Sequence, residues 1–276
     1  EFDYLVGDKV TRPVTRILKT VEWQEDSSQS PFWGSMEMLF DLSLKNAFIF
    51  SRQVSEYLSE HCSLQIPQVF DVLEGDGACG VVLENLPAKM LQTENINEQN
   101  INILAEYFAK LHRKEVGCIG AIASHQITNE VADASQDWQC RLTAVLTSLG
   151  MEAGLPAEVL DKTLAAVNSL QLSKIVPLMM DMRWDQFAQQ EGKLVGVFDL
   201  DAYVLAPVEL DFVILECLLT AEQAQQFGEQ YFSFTKKKIQ IEDEQRLVYR
   251  VLFFLMNALG EKDIEKWLNQ PARFTD

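Results

Sequence analysis

Leu178-Met179-Met180-Asp181-Met182-Arg183-Trp184-Asp185-Gln186-Phe187 is followed by a turn through Glu191-Gly192-Lys193, the apolar run Leu194-Val195-Gly196-Val197-Phe198, and then Asp199-Leu200-Asp201. An acid just past one apolar run, a carboxamide five positions on, and a second acid at the end of the next strand supply a general base and oxygen ligands for Mg²⁺. A protein built on this pattern handles a nucleoside triphosphate.

Ahead of that segment the chain leans toward strands. Thr15 to Trp23 and Met36 to Leu44 are rich in β-branched and aromatic residues, and they flank a polar Gln24 to Pro31 segment that reads as a turn, so an antiparallel hairpin is expected there. Ala47 to His61 carries Phe48, Val54 and Leu58 at helical spacing and stops before Ile66-Pro67, where the proline disfavours continuation. Val69 to Val72 and Gly80 to Leu83 bracket Glu74-Gly75-Asp76-Gly77, a hairpin turn.

From Asn97 onward helices dominate. Leu104, Tyr107, Phe108 and Leu111 form a stripe on a helix ending near His112-Arg113, and further helices are expected at 138–148, 157–169, 211–219, 221–235, 243–259 and 263–269. Only the region from Ile175 to Phe198 interrupts them, with a strand pair.

Composition excludes several classes. The 276 residues carry 23 basic against 41 acidic side chains, a net charge of −18, which argues against nucleic-acid binding and against docking on anionic membranes. No apolar run approaches the roughly 20 residues of a membrane span, and Glu1-Phe2-Asp3 lacks the basic start of a signal peptide. The five cysteines show no C-x-x-C spacing, so neither a disulfide framework nor a zinc site is indicated and a cytoplasmic setting is expected. His125 stands isolated in a loop-like segment and carries no ligand signature.

The order of parts resembles the aminoglycoside phosphotransferase and choline kinase-like group, small-molecule relatives of the protein kinases. Val81-Val82-Leu83-Glu84-Asn85-Leu86-Pro87 is similar to the strand and hinge that accept adenine, and Leu104 to His112 to the helix ending in Leu-His. Met179-Met180-Asp181 through Gln186 stands where the group has His-Gly-Asp followed by Asn. Phe198-Asp199 stands where it has a metal-binding Asp, and Asp211 where an Asp starts the next helix. His-Gly has become Met179-Met180 and Asn has become Gln186; no glycine-rich loop is visible near the start, and Arg52-Gln53 occupies the place of an acidic partner for a lysine.

The resemblance implies an α+β, two-lobed protein-kinase-like fold, with a small antiparallel β-rich N-lobe over residues 1–84 and a larger, mainly helical C-lobe over residues 85–276. It implies ATP and Mg²⁺ as cofactors, Asp181 as the base and Asp199 as the main metal ligand, with Gln186 as the second. Arg183 lies in the same loop and shapes the acceptor pocket, while Glu84 and Leu86 mark the nucleotide hinge. Lys45 is the first choice for the phosphate-contacting lysine, because Asp41, Ser43 and Lys45 would share one strand face; Lys19 is the runner-up. Asp201 is divided between a site residue and a solvated turn. The acceptor is a hydroxyl of a small molecule, with cationic amino sugars and amino alcohols suited to the acidic balance, or of a peptide Ser/Thr. The alternative is a degenerate pseudokinase that serves as a binding module for a partner protein.

Overall fold

A computed structural model describes residues 16–22, 30–75, 77–123 and 134–275. Residues 24–29 of the segment read as a turn, Glu1 to Asp3, Asp76 and His125 lie outside the described residues.

The described residues begin with β1 (Arg16–Glu22), as its β-branched pattern predicts. The expected partner strand at Met36 to Leu44 does not form. Pro31–Phe40 is instead a helix, α1, and Leu44–Ile49 a second, α2. The proline occupies the first helical position, where its missing N–H costs nothing, and Met36, Leu39 and Phe40 fall on one buried helical face. Asp41, in the left-handed region at φ 55°, ends α1 by donating its N–H to Glu37 O, while the Leu42 N–H donates to Met36 O. The Ser43 hydroxyl then caps α2 by accepting from the Asn46 amide. α3 (Ser51–His61) covers the rest of the predicted helix.

β2 (Val69–Gly75) and β3 (Ala78–Glu84) form the expected hairpin, and β1 joins it on the far edge of β3, giving an antiparallel sheet of order β1-β3-β2. Its register sets Lys19 opposite Val81 and Ile17 opposite Leu83. Period-two alternation places those four side chains on one face, the face that carries buried Val81 and Cys79. α2 and α3 pack beside this sheet.

Beyond Glu84 come β4 (Lys89–Met90), α4 (Glu98–Leu111), β5 (Gly120–Ala121), α5 (Ala134–Glu152) and α6 (Ala157–Val167). β6 (Ile175–Met179), β7 (Phe187–Gln190), β8 (Lys193–Val197) and β9 (Tyr203–Pro207) follow, then α7 (Glu209–Leu218), α8 (Ala221–Thr235), α9 (Asp243–Leu255) and α10 (Ile264–Leu268). The predicted strand pair is part of two small sheets, β4-β7-β8 and β5-β9-β6; β9 was not foreseen. Each helix expected in this half is present, with ends shifted by a few residues. Among the described residues no helix is long and apolar enough to cross a membrane.

Two features join the sheet-bearing part to the helical part. Gln65 pairs with Gly196 of β8, its N–H donating to Val195 O and its carbonyl accepting from Val197 N, at 2.9 and 3.0 Å. A Cβ on Gly196 would sit 2.8 Å from the Gln65 carbonyl, so only glycine permits this approach. The second feature is α1, which leaves β1 to pack on α5: Phe40 stacks on Trp138 at 5.8 Å, and the Arg141 guanidinium donates to Leu39 O and Asp41 Oδ2.

Candidate functional site

β6 is buried along its whole length, and the N–H of Met180 extends its pairing by donating to Ala202 O at 2.9 Å, so the chain reaches Asp181 from a rigid support. A single 3₁₀ turn at Trp184–Gln186 then folds the loop back on itself. The Gln186 amide nitrogen donates to Asp181 Oδ2 at 2.9 Å, and Arg183 lies 3.3 Å from the same oxygen and 3.2 Å from Asp185. Burial raises the Asp181 pKa; Arg183 pulls it down and Asp199 pushes it further up, so the two aspartates feel each other's charge.

β8 delivers the second acid. The Phe198 N–H donates to Gln186 O at 2.8 Å, which ties the end of β8 to the Asp181 loop. Asp199 then turns back to accept the Asp201 N–H on Oδ1 at 3.2 Å. Both carboxylates face Lys19 of β1: its ammonium is 3.0 Å from each oxygen of Asp199 and 2.5 Å from Asp201 Oδ2. Burial alone would lower the Lys19 pKa, but Asp201 and Asp199 outweigh it and the net shift is upward. Asp201 is raised to about 7, by burial first and by Asp199 second, with Lys19 opposing.

Under the Asp181 loop lies a closed polar brace. His112 follows α4 and Asp211 stands in the first turn of α7; His112 Nε2 and Asp211 Oδ2 are 2.9 Å apart, and the Tyr231 hydroxyl is 3.2 Å from His112 Nδ1. Burial pushes the imidazole well down and the carboxyl well up, the Met179 amide partly offsetting the latter. The brace fixes α4, α7 and α8 to one another beneath the strand that carries the site.

Lys19, Asp181, Arg183, Asp199 and Asp201 line one cavity of about 400 Å³ together with Phe32 and Trp33 of α1 and Met256 to Ala258 after α9. Gln186 is buried behind Asp181. Lys45, expected on a strand beside Ser43, lies instead in the first turn of α2 and away from the cavity wall, so the shared-face argument for it falls with the strand. Glu84 ends β3 with its N–H donated to Gln68 O and its side chain accepting the Gln68 amide at 3.3 Å. Leu86 is buried in the space left by Gly196, and with Asn85 to Lys89 and the β7–β8 turn it borders a separate groove of about 1210 Å³.

The Asp-x-Asp spacing of Asp199 and Asp201 was a readable signal for the second acid. Phe32, Trp33 and the 256–258 turn carried none, because the first two fell between the expected turn and the expected strand and the last lay inside the helix expected over 243–259.

The donor set suits a hard divalent cation: carboxylates of Asp181, Asp199 and Asp201, and the Gln186 amide oxygen, which its bond to Asp181 leaves unused. Among the described residues no group of three acidic, histidine or cysteine side chains is close enough to hold a metal unaided. The Lys19 ammonium shows that Asp199 and Asp201 are already arranged around positive charge.

The architecture, a small antiparallel sheet docked beside a helical body over a carboxylate-lined cavity, is a protein-kinase-like fold. The chain superposes on a protein assigned as a fructosamine-3-kinase from Haemophilus somnus with a TM-score of 0.57 at 15% identity, over 92% of this chain and 83% of that one. It superposes on a macrolide 2'-phosphotransferase from Brachybacterium faecium with a TM-score of 0.55 at 13% identity, over 83% and 81%. A spectinomycin phosphotransferase in complex with ADP and spectinomycin gives 0.53 at 15% identity, over 79% and 73%. At these identities the likeness establishes the fold: two-lobed, α+β and protein-kinase-like. No protein-family model matches the sequence, and no curated protein matches it.

Proposed function

We propose that the chain is an ATP- and Mg²⁺-dependent phosphotransferase that moves the γ-phosphoryl group to a hydroxyl of a small molecule or of a peptide Ser/Thr. The observation that carries this reading is the meeting, around one cavity, of a carboxylate from the loop after β6, two from the end of β8 and a lysine from β1. Asp181, whose pKa burial raises, orients the acceptor hydroxyl and takes its proton as the oxygen–phosphorus bond forms and the bond to the ADP oxygen breaks. Asp199, Asp201 and Gln186 would hold Mg²⁺. Bound MgATP supplies the phosphoryl group and the divalent charge that offsets its oxygens. Lys19 adds a further positive charge, and the walls of α1 and of the turn after α9 limit water at the reacting oxygen. Glu84 and Leu86 contribute as backbone, since their side chains are engaged elsewhere.

The test is turnover of MgATP by wild type, Asp181→Ala and Asp199→Ala, with circular dichroism to check folding. Both variants fold and both lose phosphotransfer; turnover retained by either counts against the assignment.

One observation favours a second reading, a pseudokinase that binds a partner protein. The Lys19 ammonium stands where a metal would meet Asp199 and Asp201. A melting-temperature titration with MgATP separates the two, since the pseudokinase gives little or no shift.

A further inference from the structure

Resting on the phosphotransfer reading, we propose that the acceptor is a small uncharged alcohol with a planar apolar body, seated against Phe32 and Trp33 of α1.

The cavity divides by chemistry. Its ionic wall carries three carboxylates against two cations: Lys19 pairs with both Asp199 and Asp201, and Arg183 lies 3.3 Å from Asp181. Among the described lining residues there is no further carboxylate, so each one already contacts a cation. A polycationic sugar would have to break these existing pairs in a partly desolvated site. The remaining wall is mainly apolar, with Phe32, Trp33, Phe48, Met256 and Ala258, and its neutral polar groups among the described residues are Thr20, Ser30 and Asn257.

Phe32 and Trp33 meet edge to face, with ring centroids 5.4 Å apart, an arrangement that leaves ring surface for a third planar group. The aromatic wall is set in place before any ligand arrives. α1 is anchored at its far end by Phe40 on Trp138 and by Arg141 on Leu39 O, so Phe32 and Trp33 stand on a fixed helix rather than on a loop. Size points the same way. About 400 Å³ is near the lower limit of small-molecule sites, roughly 300–1,000 Å³, and part of it must take the phosphoryl group, which leaves room for a single ring.

The experiment uses the full chain, with 2-phenylethanol as the planar probe and glucosamine as the cationic one, each followed by ligand-observed NMR. Wild type binds 2-phenylethanol and not glucosamine; Trp33→Ala weakens that binding by about tenfold and Trp33→Phe retains it. Tighter binding of glucosamine, or undiminished binding of 2-phenylethanol by Trp33→Ala, overturns the proposal. A parallel melting titration with Mg²⁺ and a non-hydrolysable ATP analogue reads the phosphotransfer assignment by itself. A nucleotide shift without 2-phenylethanol binding removes only the acceptor class. Binding of 2-phenylethanol without a nucleotide shift removes phosphotransfer, and the acceptor role with it.

Discussion

The Lys19 ammonium stands 3.0 Å from each carboxylate oxygen of Asp199, a contact between positions 180 apart in sequence. β1 supplies the cation and the second residue past β8 the anion, so the pair exists only when the β1-β3-β2 sheet is docked on the helical part. With side chains 37% and 29% exposed, the ion pair adds little to stability. Its consequence is positional, since it holds positive charge at the point where the phosphates of a nucleotide would arrive.

Lys19→Met therefore removes the charge that faces the transferred group, and phosphotransfer falls by about 10²–10³-fold. Lys45→Met, on α2 and off the cavity wall, changes kcat/KM by less than about threefold, the scale of a surface substitution. Steady-state kinetics of the two variants decide between the lysines. The larger loss falling on Lys45 would sink the assignment.

Asp201 makes the stability of the apo protein depend on pH in an unusual direction. Its folded pKa is raised from 3.8 to about 7, so between those values the folded chain holds a proton that the unfolded chain has released. Stability then falls as pH rises through this window, by at most about 1.4 kcal/mol per pH unit from this group. Asp201→Asn cannot titrate, and its urea midpoint declines less between pH 4 and pH 7 than that of wild type. Parallel slopes for the two proteins would show that Asp201 is not the group responsible.

Which parts of this were legible in the sequence follows from how local their causes are. The β2–β3 hairpin and the helices after Asn97 are written in turn residues and short-range periodicity, and the Asp181 to Asp199 segment in spacing along neighbouring strands; all of these appear in the structure. α1 was misread because Met36, Met38, Phe40, Leu42 and Leu44 recur at every second position, which fits a strand, while Met36, Leu39 and Phe40 also share one helical face; Pro31 at the first helical position was the available arbiter. The argument for Lys45 rested on the same segment, and the strand face it assumed does not exist. Lys19 opposite the two acids, and Phe32 and Trp33 on the cavity wall, depend on contacts between distant positions, which no local pattern records.

Phe40 tests whether α1 is structurally committed to the helical part. It is fully buried and stacked on Trp138, so Phe40→Ala leaves a cavity between α1 and α5 and costs about 3–5 kcal/mol. Chemical denaturation reads this directly. A loss below about 1 kcal/mol would mean that α1 lies loosely on α5, and the aromatic wall it carries would lose its rigid support.

Gln186 distinguishes a metal ligand from an orienting group. Its amide nitrogen donates to Asp181 Oδ2 at 2.9 Å, so in the apo site it steadies the base. Gln186→Asn withdraws the amide by about one carbon–carbon bond, roughly 1.5 Å, beyond what that hydrogen bond tolerates without movement of the loop. If the side chain serves chiefly as a ligand, the shorter amide preserves activity or improves it, and the Mg²⁺ concentration needed for half-maximal rate shifts. If it serves chiefly to hold Asp181, kcat falls by about 10-fold or more while the Mg²⁺ requirement stays put, because the base has lost its partner rather than the metal its ligand. Mg²⁺ titrations of wild type and Gln186→Asn at saturating ATP separate the two. Unchanged kcat together with unchanged Mg²⁺ dependence would exclude both roles for this residue.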